Sequence, residues 1–449
     1  MKINIIILAL ICLLALSSCN ADTPPTETEP SITTTAAEST SPTTTVVEEH
    51  TPATNDELFE YVISKWKQNK AAELYEYAAP ELSVLLREAD FVYLFDSVSN
   101  IGGTLNAVSD KRVSASDGIT SYTAVLEFDN ITTELSIALK DLQICSFTRN
   151  VHFKNTFELD HGNGIIEKYF VFENDGYKLN AVYTYVNDGQ AHPAALLISG
   201  SGPSDYNSTV GLLTPFEDIA IGLARNGINS LRVDKRTFNY SSETGDDIVI
   251  EQEYLDDYTA DIDFLKSQNI SGLYLLGHSL GGQIAAELAA NRTDIDGLIL
   301  FNSSLRHLAD IACDQYSVID PANKSTYKAY ADAAKSASED NIKGYYYYGA
   351  GDAYWASYNR IDTVKNITDV NTNLLIINST FDNQLFDEDI DLWKSHFSGD
   401  PKVTLRVLDG ISHFGYKIDT ADLSALYKRS TFPDELISDF SSFINAAPQ

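Results

Sequence analysis

Continuously apolar segments alternate with amphipathic ones from about residue 150 to the end of the chain. The apolar segments lack the alternation of a strand with one face in water, so helices must cover both of their faces, as in a mostly parallel sheet. An antiparallel pair at 165–172 and 177–186 precedes them. The predicted buried strands are 194–198, 228–233, 273–276, 297–301, 374–378 and 403–408, and the predicted helices are 215–226, 255–268, 280–291, 389–397 and 433–445. This pattern predicts an α/β domain over residues 149–449.

One segment interrupts the alternation of strands and helices. Residues 305 to about 370 lie between two predicted strands and contain helical material together with four consecutive tyrosines at 345–348. An insertion at the carboxyl ends of strands is where lids and binding loops belong. We therefore predict that this segment is a lid insertion beside a substrate pocket.

Residues 56–148 have a different pattern, in which helices precede strands. The spacing of apolar residues predicts helices over 56–70 and 71–89, and alternation predicts strands over 122–128 and 133–139. This order predicts a small α+β domain in front of the α/β domain. No set of polar residues converges in it, so we expect it to have a packing or docking role.

The first residues have the pattern of an export signal. Lys2 is followed by an apolar run over 3–16, which is shorter than the roughly 20 residues that a membrane-spanning helix needs. The run ends in LSSC at 16–19, which resembles the cleavage motif of bacterial lipoproteins. The resemblance implies that residues 1–18 are a signal peptide and that Cys19 carries lipid; an ordinary signal peptide is the alternative. We therefore expect an extracytoplasmic protein anchored to the bacterial cell membrane.

Residues 19–55 are dominated by Thr, Ser, Pro and Glu, and they contain almost nothing to bury, which predicts a disordered stalk. The formal net charge of the whole chain is −33 at pH 7. So acidic a surface repels phosphate backbones, which argues against nucleic acid as a partner. It also repels anionic lipid headgroups, so the lipid has to supply the attachment to a membrane.

The chain has four cysteines. Cys12 lies in the predicted signal peptide, and Cys19 is the predicted lipidation site. Cys145 and Cys313 remain, in different predicted domains, and we expect two unpaired buried thiols. No Cys/His cluster has the spacing of metal ligands, so the sequence predicts neither a metal site nor a cofactor. The oligomeric state is left open.

The strongest chemical signal is the GHSLGG segment at 277–282, which directly follows a predicted buried strand and opens a predicted helix. In this context G-x-S-x-G marks a sharp strand-to-helix turn that exposes a serine hydroxyl. Such a turn has room only for tiny residues two positions before and two positions after the serine, and Gly277 and Gly281 meet this need. Ser279 is therefore the predicted nucleophile.

A serine hydroxyl is a weak nucleophile and needs a base, which in such chains comes in the order Ser, acid, His. Three histidines follow Ser279: His307 at the start of the insertion, His396 inside a predicted helix, and His413 in the loop after the strand that ends at residue 408. A loop at the end of a strand is where the base should lie. We therefore favour His413 as the base.

The acid is expected directly after the strand at 374–378, where Asp382 is the first carboxylate. Its role is to hold the base in one tautomer and to stabilise the imidazolium. Asp387, Glu388 and Asp389 are the alternatives. They fit better as acidic residues in the first turn of the next helix.

The transition state needs two N–H donors for its oxyanion. The backbone N–H of Leu280, directly after the nucleophile, is one expected donor. The other is expected from the SGSGP loop at 199–203, whose glycines let the backbone turn toward a substrate, and we assign it to Ser201. The loop lacks the Lys-Ser/Thr pair of a nucleotide-binding loop.

Four motifs occur in a fixed order: SGSGPSD at 199–205, PFEDIA at 215–220, RVDKR at 232–236 and the GHSLGG turn. In this combination, residues 165–445 resemble bacterial α/β-hydrolase carboxylesterases with a G-S-G-P oxyanion loop. The resemblance implies an α/β-hydrolase fold, with a mostly parallel sheet, helices on both faces and a lid insertion. It also implies cleavage of short acyl esters without a cofactor.

The resemblance further implies roles for single residues. It gives a catalytic triad and a pocket bordered by aromatic residues, which are Ser279, Asp382 and His413 for the triad and Tyr354 and Trp355 for the pocket. Ser199 departs from the family pattern, which usually has His at that position. Residues 56–148 resemble the small uncharacterised domain often found in front of bacterial α/β hydrolases, with a cone-like fold of the nuclear-transport-factor type.

The same triad serves peptidases and acyltransferases, so enzymes of those two kinds that act on cell-envelope material are alternatives to an esterase. A binding lipoprotein that keeps the fold without turnover is an alternative from another class. The complete triad favours an enzyme, and the expected partner is a small-molecule ester.

Overall fold

The computed structural model describes residues 51–245, 248–341, 343–344, 346–418 and 428–446. The predicted signal peptide, the predicted lipidation site Cys19 and nearly all of the predicted stalk lie outside these residues. Within the described ranges, no helix is both long and apolar enough to cross a membrane.

The first part of the described chain, up to residue 153, is a layer of helices on an antiparallel sheet. Its strands lie in the order β1-β2-β3-β4. The elements are α1 (Asn55–Lys67), a 3₁₀ helix (Ala71–Tyr77), α2 (Pro80–Leu85), α3 (Glu88–Gly102), β1 (Leu105–Ser116), β2 (Ile119–Phe128), β3 (Ile131–Lys140) and β4 (Gln143–Phe153).

This first unit differs from the sequence prediction at several places, and α3 and β4 are not among the predicted elements. One helix is predicted over 71–89, but the segment is divided into shorter pieces, because Pro80 begins α2 and has no N–H with which to continue a preceding helix. Strand β1 is exposed along most of its length, so its sequence lacks the apolar alternation of a half-buried strand. Strand β4 runs past the predicted boundary at 148/149, so that boundary falls inside a strand.

Aromatic side chains fill the space between the helices and the sheet of the first unit. Trp66 of α1 meets Phe95 of α3 edge-on, with ring centroids 5.0 Å apart. It also packs on Phe128 of β2 and Phe147 of β4. Aromatic pairs of this geometry add to the stabilisation that comes from their buried area.

Nine strands form the second sheet in the described part of the chain, in the order β15-β14-β11-β10-β8-β9-β7-β6-β5. The six strands from β15 to β9 run parallel to one another, and β7, β6 and β5 are antiparallel. The strands are β5 (Phe157–Asp160), β6 (Ile165–Asn174), β7 (Tyr177–Val186), β8 (His192–Ile198), β9 (Asn229–Val233), β10 (Ile270–His278), β11 (Gly297–Phe301), β14 (Asn373–Ser379) and β15 (Val403–Leu408).

Helices cover both faces of the parallel strands, because successive side chains of a buried strand point to opposite faces. Leu197 of β8 belongs to the core on the side of α4 (Pro215–Ala224) and α14 (Asp434–Asn445). Its neighbour Leu196 belongs to the opposite core. The helices on that side are α7 (Asp256–Ser267), α8 (Leu280–Ala290) and α13 (Asp387–Phe397). This architecture is the α/β-hydrolase fold, as the sequence predicts.

Short helical elements lie between β9 and α7. Two helical turns follow β9, and a π-helix precedes α7. These are α5 (Arg236–Asn239), α6 (Ser241–Thr244) and the π-helix (Glu251–Leu255).

The insertion between β11 and β14 is mostly helical. It contains α9 (Leu308–Ile319), a 3₁₀ turn (Pro321–Asn323), α10 (Lys324–Lys335), β12 (Tyr346–Tyr347), β13 (Ala350–Gly351), α11 (Asp352–Tyr358) and α12 (Thr363–Asp369). These elements occupy the range that the sequence predicts for a lid, at the carboxyl end of β11.

The two units share a continuous core. Phe153, at the end of β4, packs on Tyr169 of β6 and on Tyr206, with ring centroids 5.4 and 5.3 Å apart. Asn180 of β7 joins their backbones, since its Oδ1 accepts from the Phe153 N–H at 2.8 Å and its Nδ2 donates to the Val151 carbonyl at 2.7 Å.

Candidate active site

Ser279 lies on the turn between β10 and α8, with φ 56° and ψ −126°. A non-glycine residue with this backbone conformation is strained. The turn is closed so tightly that a Cβ on Gly277 would lie 2.2 Å from the carbonyl oxygen of Gly281, and a Cβ on Gly281 would lie 2.2 Å from that of Ile198. The two glycines are therefore required by the backbone itself, and the turn holds the Ser279 side chain at the end of the strand.

His413 follows β15, and its Nδ1 lies 2.6 Å from Oδ2 of Asp382, which follows β14. Both side chains are almost completely buried. The other carboxylate oxygen of Asp382 accepts the backbone N–H groups of Gln384 and Leu385 at 2.7 and 2.9 Å. The carboxylate is therefore fixed in place, and the bond at Nδ1 leaves Nε2 of His413 to accept a proton.

The backbone of His413 is tied to the turn that carries Ser279. Its carbonyl oxygen accepts from Nε2 of His278 at 2.8 Å and from Nδ2 of Asn302 at 2.9 Å. The rings of His278 and His413 have centroids 4.7 Å apart. Burial, followed by the nearby His413, lowers the pKa of His278 to about 3, so His278 is neutral near pH 7. These contacts bring His413 beside the residue that precedes Ser279.

The alternative histidines have other contacts. Nδ1 of His307 accepts from the Ala309 N–H at 3.1 Å and caps α9, and its Nε2 lies 2.7 Å from Oδ1 of Asn359 within the insertion. His396 is exposed on α13, and its Nδ1 lies 2.9 Å from the carbonyl of Leu392 on the same helix.

The alternative carboxylates lie in the first turn of α13. Asp389 accepts from the Phe386 N–H at 2.8 Å and from the hydroxyl of Ser304, so it caps its own helix. Glu388 pairs with Arg306 at 2.9 Å. Asp387 lies in the same acidic turn. Asp382 is thus the carboxylate that contacts His413.

The two expected oxyanion donors lie on the same cavity as the predicted nucleophile, since Ser201, Leu280 and Ser279 all line it. Leu280 is the first residue of α8, and N–H groups in the first turn of a helix have no intrahelical acceptor. Gly200 lets the other loop come close, because a Cβ there would lie 3.0 Å from Cβ of Ser279. The loop at 199–203 therefore lies directly against the turn that carries Ser279 and Leu280.

Ser199, which departs from the family pattern, is buried beneath this loop. Its backbone N–H and its hydroxyl both lie 3.0 Å from the hydroxyl of Tyr258 on α7. The start of the loop is thus fixed by a tyrosine.

The cavity beside Ser279 has mixed apolar and amide walls, and the insertion supplies several of them. The described residues that line it are Ser201, Ser279, Leu280, Gln283, Ser304, Leu308, Ile311, Gln315, Tyr348, Gln384 and Leu385. Tyr354 and Trp355 are not among them. Both are buried on α11, where Trp355 packs on Tyr347 and donates to its carbonyl at 3.3 Å.

The tyrosine that lines the cavity is Tyr348, from the four-tyrosine segment. Tyr354 and Trp355, which the family resemblance implies for the pocket, are buried inside the insertion. A role for these two residues in binding substrate stays a prediction. Gln283, one turn into α8, could have been found as the position that follows the nucleophile by four residues on the same helix face.

No group of three or more His, Cys, Asp or Glu side chains with the geometry of a metal site occurs in the part of the chain that the structure describes. Cys145 and Cys313 are free thiols; Cys313 is buried and Cys145 is half-buried.

The nine-stranded sheet is that of the α/β-hydrolase fold, and Ser279, Asp382 and His413 follow β10, β14 and β15 in the chain order Ser, acid, His. Residues 213–341 match the family model Hydrolase_4, described as serine aminopeptidase, S33. The match includes Ser279 but neither Asp382 nor His413.

Among curated proteins, the chain is similar to esterase EstD of Thermotoga maritima, with 27% identity over 250 residues, which are 55% of this chain and 60% of EstD. The chain thus matches about three fifths of the length of that relative. Among solved structures, it is similar to Est1E from Butyrivibrio proteoclasticus, with 17% identity, coverage of 62% of this chain and 99% of Est1E, and a TM-score of 0.43. The esterase domain of a Rhodothermus marinus protein has 16% identity, coverage of 61% and 97%, and a TM-score of 0.40.

Proposed function

We propose that the protein is a serine hydrolase that cleaves carboxylic esters through an acyl-enzyme. The observation that carries the proposal is the 2.6 Å contact between Nδ1 of His413 and Asp382, beside the strained turn of Ser279. A base oriented by a buried carboxylate, next to a half-buried serine on such a turn, is the arrangement that activates a serine hydroxyl.

In the proposed reaction, the Ser279 hydroxyl attacks the ester carbonyl while Nε2 of His413 takes its proton. The oxyanion that forms accepts the backbone N–H groups of Leu280 and Ser201, each typically contributing about 2.7–4 kcal/mol in the transition state. His413 then gives its proton to the departing alkoxide. Water, activated by the same histidine, releases the acid and restores Ser279. Asp382 keeps the imidazole oriented throughout.

The walls of the cavity support a short and largely apolar acyl or alcohol group. Leu308, Ile311 and Leu385 offer apolar surface, while Gln283 and Gln315 are neutral hydrogen-bonding side chains. The curated relative EstD is named an esterase, which supports the same substrate class.

A peptidase is the second candidate, because the matched family model is described as a serine aminopeptidase. An aminopeptidase needs a carboxylate to hold the substrate's ammonium group. The described residues that line the cavity include neither Asp nor Glu. The lining therefore favours an ester over a peptide substrate. An acyltransferase would use the same triad with an alcohol in place of water.

We also propose that the protein acts outside the cytoplasm, anchored to the bacterial cell membrane through lipid on Cys19. The LSSC segment at 16–19 supports this proposal. Expression in a lipoprotein-processing bacterium with an alkyne fatty acid should label the wild-type chain and leave Cys19→Ser unlabelled. Equal labelling of the two chains would contradict lipidation at Cys19.

The proposed activity is tested by labelling the protein with a fluorophosphonate probe, together with turnover of p-nitrophenyl acetate, p-nitrophenyl butyrate and leucine p-nitroanilide. Wild type and a control, Ser83→Ala on α2, should be labelled and should cleave the two esters. Ser279→Ala should lose both labelling and ester turnover.

Cleavage of the anilide in preference to the esters would favour the peptidase. A folded wild-type protein that is neither labelled nor active would contradict the serine-hydrolase mechanism and favour a binding lipoprotein.

A further inference from the structure

Lys235 is a buried cation behind the loop that contains Ser201. It follows β9, and its side chain is 1% exposed. Its Nζ lies 2.7 Å from a carboxylate oxygen of Glu253 and 2.6 Å from the hydroxyl of Tyr254. It also donates to two loop carbonyls, those of Gly202 at 2.7 Å and Gly200 at 3.2 Å.

Tyr254 reinforces one of these contacts. Its hydroxyl donates to the Gly200 carbonyl at 2.7 Å, so that oxygen accepts from both Tyr254 and Lys235. A buried ammonium group is costly unless it is paired, and Glu253 supplies the opposite charge. Glu253 and Tyr254 both lie on the π-helix Glu251–Leu255, a rare element that is found mostly at functional sites.

The carbonyl of Gly200 belongs to the same peptide group as the N–H of Ser201. The peptide bonds of the described residues are trans, and in a planar trans peptide the C=O and the N–H point in opposite directions. Since Tyr254 and Lys235 hold the Gly200 oxygen, the Ser201 N–H points away from them. The residue itself lines the cavity together with Ser279 and Leu280.

The second carbonyl held by Lys235 belongs to a peptide with no N–H, because Pro203 follows Gly202. The contact between Lys235 and the Gly202 carbonyl therefore orients no N–H group. It does restrain the backbone on the other side of Ser201. Gly202 has φ +79°, which glycine adopts without strain. The backbone of Ser201 is thus restrained on both sides by one ammonium group.

We propose that Lys235, Glu253 and Tyr254 are positioning residues, which orient the Ser201 N–H toward the oxyanion of the transition state. The proposal rests on the proposed esterase function and deepens it. None of the three needs to touch the substrate. They act through the Gly200 and Gly202 carbonyls, and they make the loop rigid before substrate binds, so that no reorganisation is needed during the reaction.

Two variants test the proposal. Lys235→Met removes the ammonium group and keeps an unbranched side chain, and Tyr254→Phe removes one hydroxyl with little effect on packing. The control is Arg236→Met, which removes a neighbouring buried cation that pairs with Asp257 at 2.6 Å and does not contact the loop. Each purified protein is measured for thermal unfolding, for kcat and KM with p-nitrophenyl butyrate, and for inhibition by an alkyl trifluoromethyl ketone, which forms an oxyanion on Ser279.

Lys235→Met should lower kcat by about 10- to 1,000-fold, up to the loss seen when an oxyanion donor is removed, and should leave KM nearly unchanged. Its affinity for the trifluoromethyl ketone should fall by a similar factor. Tyr254→Phe should change the same quantities in the same direction by a smaller factor. Arg236→Met should lower thermal stability without this selective loss of kcat.

A folded Lys235→Met with wild-type kcat would overturn the proposal, as would a loss of kcat that Arg236→Met reproduces. If Lys235→Met does not fold, Tyr254→Phe decides between the same outcomes. These results are distinct from failure of the esterase function itself, in which the wild-type protein shows neither fluorophosphonate labelling nor ester turnover.

Discussion

The carbonyl oxygen of His413 accepts hydrogen bonds from two side chains that come from the ends of neighbouring strands. His278 is the last residue of β10, and Asn302 directly follows β11. Nδ2 of Asn302 also donates to the Ser412 carbonyl at 3.1 Å. The loop that carries His413 is thus held in position by the ends of two strands of the sheet, as a side chain proposed to act as a base requires.

We expect Asn302→Gly to lower kcat for p-nitrophenyl butyrate by about 10- to 100-fold, because displacement of a catalytic group by about 1 Å has an effect of this size. Glycine keeps the positive φ of 43° at this position while removing both donor contacts. The measurement is steady-state kinetics beside circular dichroism.

Asn378→Gly is the matched control for Asn302→Gly. Its Nδ2 donates to the Ser303 carbonyl at 3.0 Å and does not contact His413. Equal losses of kcat in the two variants would show that the effect is general destabilisation rather than displacement of the base.

The sequence indicates some residues of the proposed site more clearly than others. Ser279, Asp382 and His413 each follow a strongly apolar segment, so the order of the chain leads to them. Lys235 lies in the RVDKR motif, but the sequence gives no sign that its side chain turns inward to the loop. That information depends on the contacts of Lys235 with Glu253 and Tyr254 of the π-helix, which no local pattern encodes.

At the scale of elements, the turn between β10 and α8 has almost no room for side chains larger than those of its glycines. The atoms that a Cβ on Gly281 would meet belong to the backbone of Ile198 and Ser199, at 2.2 and 2.7 Å. A Cβ on Gly282 would instead meet the side chain of Ser303, with its Oγ at 2.4 Å. Backbone of a central strand cannot move cheaply, whereas a serine side chain can be removed.

We therefore expect a graded series in the free energy of unfolding. Gly282→Ala should destabilise by about 1–3 kcal/mol, the usual cost of overpacking, and Gly282→Ala/Ser303→Gly should recover most of that loss. Gly281→Ala should be worse than either and should give little folded protein. Thermal and urea unfolding measure the series. Similar stabilities for Gly281→Ala and Gly282→Ala would contradict it.

The predicted parallel strands agree with the observed ones to within a few residues, because continuous apolar runs bounded by polar turns are a strong signal. Strand β1 and the π-helix are among the elements that the sequence does not predict. Strand β1 has little buried surface and so carries no pattern. The π-helix differs from an α-helix only in the spacing of its hydrogen bonds, and apolar periodicity over five residues does not distinguish the two.

At the scale of the whole molecule, an ion pair is buried close to where the two units meet. Glu167 of β6 and Arg232 of β9 are both fully buried, with 2.6 Å between Oε1 and Nη2. Tyr169 donates to the same carboxylate at 2.6 Å, and His161 lies 2.9 Å from it. Tyr169 also packs on Phe153 of the first unit, so this charged cluster adjoins the shared core.

We expect the free energy of unfolding to fall as the pH drops below about 4.5. Burial alone would raise the pKa of Glu167, but Arg232, His161 and Tyr169 together lower it below its ordinary value of 4.5. A carboxyl whose pKa is lower in the folded than in the unfolded state stabilises the fold above the unfolded pKa, and this stabilisation is lost as the pH falls. Urea unfolding between pH 3 and pH 7 measures the effect.

In the double variant Glu167→Gln/Arg232→Met, the free energy of unfolding should decline less steeply with acid, because the Glu167 carboxyl that titrates is gone. Glu167→Gln alone should destabilise by about 3–5 kcal/mol near pH 7, since it leaves the Arg232 charge buried without a partner. Glu173→Gln, at an exposed carboxylate on the same strand, is the control and should follow the wild-type curve. A double variant as sensitive to acid as the wild type would contradict this origin.

We expect the two units to unfold together. Phe153→Ala should lower the free energy of unfolding by about 3–5 kcal/mol, because it opens a cavity between aromatic rings of both units. Calorimetry should show one transition at a lower temperature. Val113→Ala, on the exposed part of β1, should leave that transition in place. A first unit that melts separately in Phe153→Ala would show that the core is not cooperative.

The aromatic contact between β4 and β6 also bears on how the chain is made. A ribosome releases the helices and sheet of the first unit before β6, β7 and the segment with Tyr206 exist. During that interval Tyr169 and Tyr206, two ring partners of Phe153, have not yet been synthesised, and the apolar surface that they cover is exposed. Holding chaperones during translation, and any pause before residue 210, thus become factors in the yield of the native protein.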